Sequence, residues 1–124
     1  MKILLIALFL FLIIDIPYLI FFGGNHYKLL IQNIQGSPLI VKYMGALITY
    51  LLMGLAVKYL VIERSNTIND VIFYSFMTGL IAYGIYDFTN YATFTKWSFT
   101  DSVRDLTWGI ILFMTVSYIT YQVK

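Results

Sequence analysis

Long apolar runs alternate with short polar breaks along this chain. The first run, Ile3 to Phe22, contains one charge, Asp15. A second holds no charge between Lys42 and Lys58, a third follows the polar turn Glu63-Arg64-Ser65-Asn66-Thr67, and a fourth follows Trp97. A helix rises about 1.5 Å per residue and a bilayer core is about 30 Å thick, so roughly 20 apolar residues suffice to cross it. The pattern therefore predicts transmembrane helices over about residues 3–22, 38–62, 71–91 and 101–121. Connections this short make antiparallel neighbours. The expected fold is an all-α membrane protein: a single domain, residues 1–124, with four transmembrane helices in an up-down-up-down bundle.

Local signals set the expected ends. Gly23-Gly24 suits a helix C-terminus, because glycine tolerates positive φ. Ser37 can cap the second helix with Pro38 as its first residue, and Ser98 or Thr100 can cap the fourth. Between residues 25 and 35, Tyr27, Leu30, Ile31 and Ile34 recur at helical spacing while most polar residues fall elsewhere, which predicts a short interfacial helix in the first loop. Lys2 before an apolar run resembles the opening of a signal peptide, but Asp15-Ile16-Pro17 interrupts the run and no small-residue cleavage site follows, so the segment reads as a retained span.

Composition agrees: 60% of residues are hydrophobic and 11% charged, with a mean hydropathy of +0.83. A chain of 124 residues cannot hide that much apolar surface in its own core, and the rest must face lipid. The expected location is a multi-pass integral membrane position. A net charge of +2 without a basic cluster excludes a nucleic-acid partner, and no cysteine is present for disulfides or thiolate ligands. Basic residues divide equally between the two sides, so the positive-inside count does not orient the chain. Phosphate loops, zinc-protease pairs and nucleophile elbows are absent, and no cofactor or metal is expected.

Charge inside the membrane is the informative anomaly. Carboxylates in hydrocarbon are costly and mark sites by default. Three, Asp15, Asp87 and Asp105, fall on different helices but in the same half of the bilayer, and are the candidate catalytic groups. Candidate binding residues surround them. Tyr18 follows Asp15; Tyr83 and Asn90 share a helical face with Asp87, with Tyr86 and Thr93 beside it; Trp108 and Arg104 accompany Asp105; His26 approaches from the interfacial helix. Helix two adds Tyr43 and Thr49, with Gly45 and Gly54 permitting close packing. The plainer alternative is interhelical hydrogen-bonding glue.

The run Tyr83-Gly84-Ile85-Tyr86-Asp87-Phe88-Thr89-Asn90-Tyr91-Ala92-Thr93, then Trp97, then Asp105-Leu106-Thr107-Trp108-Gly109, resembles a bacterial family of predicted membrane proteins, domain of unknown function 2177. Asp15-Ile16-Pro17-Tyr18 is similar to that family's first-helix element, with Tyr18 where a tryptophan is usual. The resemblance implies four transmembrane helices and no settled activity.

Three functions remain open on the residues. The leading one is a polar, acidic intramembrane pocket that binds or processes a small amphipathic molecule or lipid, so membrane lipids and such a ligand are the expected partners. The second is an oligomeric proton or cation channel or carrier, which needs a homo-oligomer because four helices seldom enclose a pore. The third is a structural or assembly role.

Overall fold

The computed structural model describes Met1–Lys124 and contains helices and turns without strands. We label the helices α1 (Lys2–Tyr18), α2 (Gly24–Gln35), α3 (Tyr43–Ala56), α4 (Ile68–Thr93) and α5 (Phe99–Val123). Wider π-helical turns, Leu19–Gly23 and Val57–Ile62, extend α1 into α2 and lengthen α3. The four resulting helical stretches, Lys2–Gln35, Tyr43–Ile62, Ile68–Thr93 and Phe99–Val123, are each long and apolar enough to cross a membrane. The protein is a multi-pass integral membrane protein.

The first helix does not end at Gly23-Gly24. Gly24 has φ −63°, and the chain continues as helix to Gln35, 34 residues in all. These glycines serve close approach: a Cβ on Gly24 would collide with the carbonyl of Leu19 five residues back, and one on Gly23 would stand 2.8 Å from the Tyr18 ring. Pro17, two residues before the wide turn, contributes no N–H, so the helical bond to the Ile13 carbonyl is missing just ahead of it. The positive-φ stop comes at Gly36, φ +76°, whose N–H returns to the Gln32 carbonyl at 2.9 Å.

The second spanning helix also starts later than its sequence suggests, at Tyr43, and Ser37 caps nothing. The Gln35 side-chain amide donates instead to the carbonyls of Ser37 and Pro38, both at 3.0 Å, which holds the connection as an extended strap. Helices α4 and α5 begin with complete capping boxes, Thr67 with Asp70 and Ser98 with Asp101.

Packing is tightest between α4 and α5. Val71, Ser75, Gly79 and Asp87 are buried at multiples of four residues. Gly79 brings its helix within 3.1 Å, from an added Cβ, of the Gly109 carbonyl, and Gly109 in turn lies against the Tyr83 ring. Asp87 neighbours Ser102, Gly79 neighbours Gly109, and Tyr121 reaches Asn66, so the two helices run in opposite directions. On the other flank Gly54 admits Leu4 and Leu8 of α1. Gly45 has open space around it and serves no packing within the chain. A core of Ala7, Phe11, Val57, Val61, Val71, Leu112, Phe113 and Val116, all wholly or almost wholly buried, joins the flanks.

Candidate functional site

The first half of α3 leaves the bundle. Gly54, near the end of α3, is that helix's sole buried residue, and Tyr43, Met44 and Leu47 are exposed, whereas the following π turn packs on α1, α4 and α5. The divergence leaves a cavity of about 330 Å³ between Thr49 and Met53 of α3 and Ala82, Tyr83 and Tyr86 of α4. Leu30, Met53 and Phe113 are among its apolar lining; His26, Asp101, Arg104 and Asp105 are its ionisable lining besides tyrosines.

Helix α2 contributes His26, Tyr27 and Leu30 to the lining and is tied in place. The His26 ring nitrogen meets Asp101 at 2.7 Å, the hydroxyls of Tyr27 and Tyr86 meet at 2.7 Å, and the Lys96 ammonium donates to the Asn33 carbonyl at 2.8 Å. Trp97, only 3% exposed, is set edge to face with both Tyr27 and Tyr86. Its indole N–H donates to Ser102 at 2.9 Å, and Ser102 donates onward to the backbone carbonyl of Asp87 at 2.9 Å.

Asp15 occupies a different setting. One carboxylate oxygen accepts from the Trp108 indole at 2.8 Å, and the other accepts from the Tyr50 hydroxyl. Trp108 also stacks on Tyr18, ring centres 3.9 Å apart and planes 7° from parallel. The carboxylate thus binds α1 to α3 and α5 at once, with both oxygens engaged.

Asp87 is fully buried, and neither carboxyl oxygen has a hydrogen-bond partner. Its neighbour is Asp105, which faces the cavity. Arg104 forms no ion pair; the two in the chain are His26 with Asp101 and Lys58 with Glu63. No group of three His, Asp or Glu side chains is disposed to hold a metal ion.

Of the residues singled out from sequence, Tyr18, His26, Thr49, Tyr83, Tyr86, Arg104 and Asp105 line the cavity. Asp15 and Trp108 lie outside its lining, joined to each other, and Asp87 stands behind Asp105. Thr93 does not join them: its hydroxyl donates to the Thr89 carbonyl at 2.8 Å, and it borders a separate groove beside Lys96. The Asn90 side chain makes no hydrogen bond, and Tyr43 is 83% exposed.

The family described as predicted membrane protein, domain of unknown function 2177, matches residues 1–122. The chain belongs to this family. No curated protein and no solved structure matches it.

Sequence reasoning about this DUF2177 member missed Tyr50, the second donor to Asp15. A signal was present: Tyr50, Gly54, Val57 and Val61 follow one another at steps of four, three and four, and Gly54 already marked the face that meets another helix. Trp97 and Ser102 were missed as a pair, because a tryptophan beside a loop reads first as an interfacial anchor.

Proposed function

We propose that this protein binds a small amphipathic molecule or lipid in the cavity between α3 and α4. The observation that carries the reading is the cavity's mixed lining, apolar side chains together with four ionisable ones around one space of about 330 Å³, a size suited to small molecules. Ala82 and Tyr86 at its edge are exposed on a helix whose surroundings are hydrocarbon, so an amphiphile can enter sideways from the bilayer. In this reading the helices alternate in direction through the membrane, and α2 lies near the interface over the cavity. Asp105, with Asp87 behind it, is the pair able to exchange a proton with a bound molecule, while Asp15 orients Trp108 and Tyr18.

The channel reading has less support. The wholly buried apolar residues Ala7, Phe11, Leu112 and Val116 fill the space beyond the carboxylates, and the polar residues buried with them, Ser75, Ser117 and Thr120, bring hydroxyls but no ionisable group to relay charge. The test is quenching of tryptophan emission by single-chain amphiphiles brominated on the chain, with the protein in maltoside micelles. Saturable quenching at one molecule per chain is expected, and Ala82→Phe, which narrows the cavity, should weaken it at least tenfold. Quenching that never saturates, or that Ala82→Phe leaves unchanged, would sink the reading.

A further inference from the structure

Four ionisable side chains other than tyrosine line the cavity: His26, Asp101, Arg104 and Asp105. Two of them satisfy each other, since His26 and Asp101 are bonded at 2.7 Å. The other two are left over. Arg104 has no carboxylate within ion-pair distance and donates no side-chain hydrogen bond. Asp105 accepts from no N–H, and its polar neighbour is the carboxyl of Asp87, itself buried without a donor. Arg104 and Asp105 do not pair with each other because consecutive residues on a helix point about 100° apart. The cavity thus presents one exposed cation without an ion-pair partner and one acid whose polar neighbour is another carboxyl.

Resting on the amphiphile-binding reading above, we propose that the ligand is zwitterionic: an oxyanion group meets Arg104, and a primary ammonium meets Asp105. A guanidinium offers a fork of N–H donors that matches a phosphate or carboxylate. The cationic end must be a donor, because what Asp105 and Asp87 lack is N–H groups. A primary ammonium brings three of them, and a quaternary one brings none. The hydrocarbon chain then lies along Leu30, Met53 and Phe113, and a phosphoethanolamine head on a single-chain lipid has this combination of groups.

The experiment compares probes sharing one brominated acyl chain: lysophosphatidylethanolamine, lysophosphatidylcholine, lysophosphatidylglycerol and a long-chain alkylamine. Lysophosphatidylethanolamine should bind at least tenfold more tightly than each of the others. Arg104→Gln should reduce it to the affinity of the alkylamine and leave alkylamine binding unchanged; Asp105→Asn should reduce it to the affinity of lysophosphatidylglycerol and leave that probe unchanged. Each variant is compared at matched helicity and elution volume, and Asp105→Glu, which keeps the charge, should retain part of the preference. Equal affinity for all four probes, or equal weakening of all four by either variant, overturns the head-group assignment alone. Absence of saturable binding by every probe overturns the amphiphile reading as well. Soluble glycerophosphoethanolamine should not compete at concentrations where the lysolipid saturates; competition at equal concentration would show that the chain is not recognised.

Discussion

Removing the Tyr50 hydroxyl tests whether the Asp15 junction holds the bundle together. In Tyr50→Phe the ring stays and one of the two donors to the carboxylate is lost, leaving the Trp108 N–H at 2.8 Å as the remaining one. Hydrogen bonds between membrane helices are worth on average about 0.6 kcal/mol and at most about 1.7, so the single change should cost within that range. Trp108→Phe removes the other donor and weakens the stack on Tyr18, an aromatic pair worth roughly 0.5–1.5 kcal/mol, for a combined loss of about 1–3 kcal/mol. Both donors act on one carboxylate, so the double variant should depart from additivity by at least about 0.5 kcal/mol. Asp15→Asn should be nearly neutral: its amide oxygen can still accept from Trp108, while its NH2 can donate to the Tyr50 oxygen. Unfolding by sodium dodecyl sulfate in mixed micelles, followed by circular dichroism, measures each value. Additive effects of Tyr50→Phe and Trp108→Phe, or a large loss in Asp15→Asn with both aromatic variants neutral, would refute the junction.

Asp87→Leu, which replaces two buried oxygens without partners by a side chain of similar length, should unfold at no lower denaturant than wild type; a loss above about 1 kcal/mol would mean that those oxygens are hydrogen-bonded. Gly109→Ala, which drives a methyl into the Tyr83 ring, should cost about 1–3 kcal/mol in the same assay, while Gly45→Ala in open space should leave stability within about 0.5 kcal/mol. Ser98→Ala and Thr67→Ala should each cost about 1 kcal/mol through loss of the cap, seen as faster amide exchange confined to the first turns of α5 and α4.

What the chain determines by itself is whatever depends on consecutive residues. The four spans follow from the length and apolarity of each run against the thickness of a bilayer, and no knowledge of neighbours is needed. The Ser98 cap is local for the same reason, because its partner Asp101 stands three residues away. Gly23-Gly24 shows where locality ends. Glycine permits both a left-handed stop and an unusually close helical approach, and the choice fell to the wide turn beside Pro17 that carries α2 onward to its contacts with Tyr86, Asp101 and the loop before α5. The expectation of an acidic cluster rested on depth along each helix, and depth says nothing of how the carboxyls divide. Asp15 is engaged by Tyr50, 35 residues on, and Trp108, 93 residues on, whereas Asp87 meets no donor. Which carboxyl finds a donor depends on how the helices rotate and diverge, and three glycines shape that packing: Gly79 lets α4 approach the α5 backbone, while Gly54 and Gly109 make room for the side chains of Leu4, Leu8 and Tyr83.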